Sequence, residues 1–157
     1  MNDRHVALIR AFYDALGQAD FPAMESCYHP EVSFGDPIFQ EVEGRNRVMR
    51  MWRLQLGMRT GLTSAYREVT ADDFSGSARR TVGYTFAATG REVVHEIDTL
   101  FRFEAGLIVR HHDDFDFRRW SRMALGRPHG PLFGWTPRWR KTIRDGATRR
   151  LDEYEPA

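Results

Sequence analysis

Asp36 stands between Gly35 and Pro37 in the stretch EVSFGDPIFQEVEG (31–44), with Phe34, Ile38 and Phe39 around it. Aspartate before proline is a good turn former, because its side chain accepts hydrogen bonds from nearby backbone amides. Surface turns seldom surround that acid with so much apolar surface. A carboxylate desolvated by such neighbours would have a raised pKa and would suit a base working near neutral pH. Two roles are therefore open for Asp36: the cap of a turn, or a proton-transfer base in a pocket. A second titratable group lies in LIVRHHDDFDF (107–117). On a strand, alternate residues share a face, which sets His111, Asp113 and Phe115 against His112, Asp114 and Asp116. His111 and Asp113 would form a hydrogen-bonded pair in which the carboxylate fixes the imidazole tautomer. The bland alternative is a solvated edge strand. A metal site would need a third ligand, and only His95 offers one, so no metal is expected. His95 itself stays open between a satisfied core histidine and a functional group.

Elements must exist to hold these groups. Val6, Ile9, Phe12/Tyr13 and Leu16 recur at helical spacing before Gly17, and a short helix fits DFPAMESCY, with Asp20 as its cap and Pro22 in the first turn. VSF (32–34) reads as a short strand into the Asp36 loop. A third helix follows Gly44, with Val48, Met51, Trp52 and Leu56 on its buried side. After Gly61 four windows rich in Val, Ile, Thr, Phe and Tyr are divided by turn signals at Asp72-Asp73, Gly76, Thr89-Gly90 and Ala105-Gly106, which predicts a meander of four long antiparallel strands. Helices first and strands afterwards argue an α+β fold with the helices on one face of a curved sheet. In the third window Val93, His95, Ile97, Thr99, Phe101 and Phe103 share the apolar side, while Glu96, Asp98 and Arg102 share the other. A short helix follows, capped by Asp116 and stopped by Gly126, then a loop over 127–135 and a last helix opened by Thr136-Pro137. That helix carries a stripe of Trp139, Ile143, Ala147, Leu151 and Tyr154, with Arg140, Lys141, Arg144 and Arg149 off it.

This order of elements resembles the nuclear transport factor 2 superfamily, an α+β cone, and within it the SnoaL-like polyketide cyclases and bacterial ketosteroid isomerases. The resemblance covers roughly residues 5–117 and rests on FYDALGQADFPAMESCYHPEVSFGDP, GREVVHEIDTLFRF and GLIVRHHDDFD. It implies a cone-shaped domain over residues 1–117 and a C-terminal helical arm over 118–157, packed on the same domain or on a dimer partner. It implies a base at Asp36 that moves a proton next to a carbonyl, while an oxyanion hole stabilises the enolate. The oxyanion hole departs from the family pattern. Phe12 occupies the position of its tyrosine, Tyr13 is one residue further round the helix, and Thr99 stands opposite its acid, with Asp98 there if the match shifts by one.

The expected function is acid–base isomerisation or aldol-type cyclisation of a hydrophobic carbonyl compound. Asp36 would be the base, with His95 or the His111/Asp113 pair as acid or oxyanion donor. Phe12, Phe34, Trp52, Tyr84, Thr99 and Phe115 would line the substrate site; the aromatic members read more simply as core unless the cone is open. The alternatives are a non-catalytic module that binds a small molecule or partner protein, and epoxide hydrolysis by a carboxylate/arginine network, for which Arg110 and Arg79 are available. No cofactor is expected, since no phosphate-binding glycine loop appears.

Composition sets outer limits. The chain has 157 residues, 41% hydrophobic and 29% charged, which suits one soluble domain. A net charge of +1 gives no case for nucleic acid, and no apolar run approaches the roughly 18 residues of a membrane span. Charge is uneven: residues 1–115 carry a net −4, and 116–157 a net +5. The basic terminal helix would pack on its own domain or a partner, or else lie on an anionic membrane. The single Cys27 excludes an intrachain disulfide framework, and the amphipathic start is unlike a signal peptide; both favour the cytoplasm. Val94, Leu100 and Val109 on the outer sheet face suggest a homodimer.

Overall fold

Helical periodicity at the start of the chain yields α1 (Asp3–Gly17), which buries Val6, Ile9, Phe12, Tyr13 and Leu16 on one face. Asn2 caps it by accepting the His5 amide at 3.1 Å, satisfying one of the free N–H groups of the first turn. The computed structural model describes residues 1–126 and 137–154. α2 (Phe21–Ser26) begins with Asp20 accepting from the Ala23 amide at 3.2 Å. Then come β1 (Tyr28–Gly35), the two-residue β2 (Val42–Glu43) and α3 (Arg45–Gly57). β1 starts four residues before the expected VSF strand, because Tyr28 already pairs with Ile108 of the last strand. The pairing is interrupted around Pro30, which cannot donate to a ladder.

Four long strands follow: β3 (Arg59–Ala71), β4 (Ser75–Phe86), β5 (Arg91–Glu104) and β6 (Leu107–Asp114). They form the expected antiparallel meander, and β1 adds to β6 in parallel, giving a mixed six-stranded sheet in the order β2-β1-β6-β5-β4-β3. The sheet is curved and unclosed, and its bending has local causes. Register shifts interrupt β3 between Thr60 and Thr63 and between Arg67 and Thr70, and such bulges kink and twist a strand. Alternation along β5 is complete from Val93 to Glu104. His95, Ile97, Thr99 and Phe101 are buried on the concave side; Glu96, Asp98 and Arg102 are exposed on the convex one. There Arg79 pairs with Asp98 at 2.6 Å and Arg67 pairs with Glu96.

The C-terminal elements cover the open end of the cone. α4 (Phe117–Leu125), capped by Asp116 on the Arg119 amide at 3.0 Å, turns Phe117, Trp120, Ser121 and Ala124 inward. Gly126 ends it at φ 73°, where a side chain would also meet Arg91 at 3.0 Å. α5 (Pro137–Glu153) lies against α3 and the Asp36 loop. Arg47 pairs with Asp152 at 2.7 Å, Arg50 donates to the Tyr154 carbonyl at 2.8 Å, and Arg144 donates to the Pro37 carbonyl at 3.0 Å. Leu151 is buried, and Ile143 and Ala147 are partly so. The loop expected over 127–135, the Thr136 cap and the side chain of Trp139 lie outside the described residues. Among the described residues no helix is long and apolar enough to cross a membrane.

Candidate functional site

The concave face divides into a floor and a mouth. On the floor, β6 presents His111 and Asp113, and β5 presents Thr99. His111 Nε2 lies 3.0 Å from Asp113 Oδ1, which also accepts from the Thr99 hydroxyl at 2.7 Å. Tyr13 donates to Thr99 at 3.0 Å. On the other side of the imidazole, Nδ1 meets the Tyr28 hydroxyl at 2.8 Å, and Trp52 Nε1 donates to Tyr28 at 3.0 Å. With Tyr28 donating to Nδ1 and His111 donating from Nε2, the side-chain donors of Trp52, Tyr28, His111, Thr99 and Tyr13 each have an acceptor. Arg80 Nη2 completes the group, 3.3 Å from Asp113 Oδ2. Burial would push the Asp113 carboxyl up, but His111, Arg80 and the Thr99 hydroxyl together hold it below the usual carboxylate range. The rings of Phe101, Phe34 and Phe12 close around His111 with centroids 4.8, 5.0 and 5.3 Å away. Floor residues are at most 3% exposed. This layer is solid.

The mouth is different. Between α3, the start of β3, β4 and the C-terminal helices lies an apolar cavity of about 300 Å³. Trp120 donates to the Tyr84 hydroxyl at 2.9 Å, and the Arg59 guanidinium lies 4.4 Å over the Tyr84 ring while donating to Gln55 Oε1 at 2.7 Å. His95, above the floor on β5, packs edge-on against Phe115 at 5.0 Å and Tyr84 at 6.4 Å. Neither of its ring nitrogens has a hydrogen-bond partner. Burial, then the positive charges of Arg59, Arg80 and Arg119, push its pKa down to about 4.

Asp36 belongs to the mouth. Its backbone amide bonds the Phe39 carbonyl at 2.8 Å, and its Oδ1 accepts the amides of Ile38 at 2.7 Å and Phe39 at 2.5 Å. Gly35 is required there, since a Cβ would stand 2.7 Å from the Gln40 carbonyl oxygen. The acid therefore does cap the turn, yet it is 8% exposed and its Oδ2 accepts no hydrogen bond from the described residues. Burial pushes its pKa up to about 7, against the opposing pull of the Phe39 and Ile38 amides and the Arg59 charge, with Asp113 adding to the rise. The loop borders two spaces. Ile38 and Phe39 line the apolar cavity, while Asp36 and Pro37 border a polar groove of about 420 Å³ with His112, Phe115 and Arg144.

The named residues thus fall into two groups. His111, Asp113, Thr99, Phe12, Phe34 and Trp52 come together on the floor and border neither space. Asp36, Tyr84, Phe115 and His95 lie toward the mouth. Thr99 faces inward and Asp98 outward. The arginines considered from sequence are displaced: Arg79 and Arg110 lie on the outer face, and the buried partner of Asp113 is Arg80. Strand parity held that signal, because Ala78, Arg80, Val82, Tyr84 and Phe86 are one buried series. Arg59, Gln55 and Trp120 were not singled out, and no periodicity marks them as a set.

A mixed sheet wrapped on three N-terminal helices, with a sealed floor and a ligand-sized opening, defines the nuclear transport factor 2-like cone. The SnoaL-like domain model matches residues 9–111, and the chain belongs to that family. Solved structures share the fold. An LEH-like epoxide hydrolase of M. tuberculosis is 20% identical over 78% of this chain and 90% of its own, with a TM-score of 0.67. An NTF2-like protein of unknown function from Burkholderia pseudomallei is 21% identical over 78% and 98%, with a TM-score of 0.70. A protein of ketosteroid isomerase-like fold from Catenulispora acidiphila is 14% identical over 83% and 97%, with a TM-score of 0.68. No curated protein matches the sequence significantly.

Proposed function

We propose that this protein is a small-molecule enzyme that moves a proton next to the carbonyl of a hydrophobic compound, with Asp36 as the base. One observation carries the reading: a buried carboxyl on a polar groove, in a loop whose Ile38 and Phe39 line the adjoining apolar cavity, held at Oδ1, with no hydrogen bond to Oδ2 among the described residues, and raised to about 7. Such a group is ionised often enough to abstract a proton and basic enough to keep it. His95, neutral and without a partner, borders neither space itself but packs on Tyr84 and Phe115, which line them, and would serve as donor or acceptor to a substrate oxygen reaching past those rings. The His111/Asp113 pair is reassigned here to positioning, because aromatic rings and Arg80 enclose it. Hydrogen–deuterium exchange alpha to the carbonyl of 2-tetralone in D₂O, followed by proton NMR, tests this. The wild type should accelerate exchange over buffer, with a rate that rises through pH 7. Asp36→Asn should remove roughly a hundredfold of it or more. Equal exchange by both proteins would refute Asp36 as the base.

Epoxide hydrolysis by a carboxylate–arginine pair has a specific observation in its favour, the buried Arg80–Asp113 contact at 3.3 Å. It ranks second because both residues are buried in the floor, and neither borders the apolar cavity or the polar groove. Homodimerisation through the convex sheet face is also proposed, since Val94 and Leu100 stand 56% and 62% exposed among its ion pairs. Sedimentation at micromolar concentration should give twice 18.3 kDa; a monomer would end that proposal.

A further inference from the structure

The cavity under α5 has a charge asymmetry that a neutral ketone does not call for. Arg59 and Arg150 line it, and among the described residues no aspartate or glutamate does. Arg59 is only partly exposed, and its one polar partner among the described residues is Gln55 at 2.7 Å. Among the described residues no carboxylate comes within ion-pair distance of it; Asp36 and Asp113 act on it only through space. A guanidinium drawn out of water without a counter-charge is costly, and its planar fork matches a carboxylate. α5 supplies a second, independent observation. Gly146 lies within that helix and on the cavity wall, and a Cβ there would meet no atom within 4 Å. Glycine weakens a helix relative to alanine, so nothing in the packing of the chain on itself calls for it. The space in front of it is kept open.

We propose that the cavity takes an amphiphilic anion, with an apolar ring-sized body among Ile38, Leu54, Met58, Phe86 and Ile143 and a carboxylate on Arg59. This rests on the reading of the cavity as the ligand site, and it narrows the substrate class from carbonyl compounds in general to those bearing an acid. Calorimetric titration of the full chain with 2-naphthoate and with its uncharged isostere 2-naphthamide, at low salt, tests it without a variant. The naphthoate should bind about tenfold or more tightly, as a charge-assisted contact implies, and its advantage should shrink as salt rises. Arg59→Gln should erase that advantage and Arg59→Lys should keep part of it. Gly146→Leu should weaken both compounds together, which locates them in this cavity. Asp36→Asn should leave the preference intact, so a failure of proton transfer is separable from a failure of this proposal. Equal affinities would overturn the anion and leave the cavity standing. Absence of binding by either compound at millimolar concentration would overturn both. A preference that survives unchanged in Arg59→Gln would also overturn it, by placing the anion elsewhere.

Discussion

The floor and the mouth of this cone are built from similar residue types and treat them in opposite ways. On the floor Trp52, Tyr28, His111, Asp113, Thr99, Tyr13 and Arg80 form a connected network beneath packed aromatic rings, in which Arg80 Nε is left without a hydrogen-bond partner among the described residues. At the mouth the polar groups are incompletely matched among the described residues: His95 has no partner, Asp36 leaves one oxygen unused, and Arg59 lacks a carboxylate. A largely satisfied buried network rigidifies a core, whereas idle buried groups are costly unless a ligand completes them. This contrast supports the proposal that the floor is structural and the mouth chemical, although residues of both were candidates from sequence.

Breaking the floor should have the largest effect. Asp113→Ala would strand the Arg80 charge and leave Thr99 and His111 without their acceptor, so about 3–5 kcal/mol of stability should be lost. Urea denaturation checks this, and a loss below about 1 kcal/mol would mean that the network is ornamental. The mouth should respond differently to substitution of its own acid. Asp36→Ala removes the acceptor for the Ile38 and Phe39 amides and should cost roughly 1–3 kcal/mol. Asp36→Asn keeps an acceptor oxygen and should be near neutral in stability while losing activity. The pH dependence sharpens the contrast. A carboxyl raised in the folded state favours folding fully below its unfolded pKa of 3.8, and that contribution is lost as pH rises through about 7. Thermal melts should therefore show a decline over that window in the wild type that Asp36→Asn lacks. Parallel pH profiles for the two proteins would count against a buried, raised Asp36.

Much of this division was legible in the sequence, and the reason it was only partly so is physical. Period-two alternation separates Thr99 from Asp98 and His111 from His112 without any tertiary knowledge, since the pleat alone decides. The same rule reaches Arg80, but a charged residue on an apolar face is discounted until its partner is known, and Asp113 lies two strands away. The β1–β6 parallel pairing leaves no local mark, so β1 reads as shorter than it is. Arg59 is harder still. It follows the end of α3 and gains its surroundings only when α5, remote in sequence, closes over the cavity. The turn-cap role of Asp36 does not exclude the proposed one: Oδ1 caps the turn, and Oδ2 accepts no hydrogen bond from the described residues.

The central claim is that one family of carboxylates is split by environment, with Asp113 held charged on the floor and Asp36 held near neutrality at the mouth. Carbon-13 NMR titration of the aspartate side-chain carboxyls, assigned with Asp36→Asn and a conservative Asp113→Asn, measures that split directly. Asp36 should titrate near pH 7 and Asp113 below the usual carboxylate range. Two midpoints together near the ordinary value of about 3.9 would contradict it, and would return Asp36 to the role of a solvated turn residue.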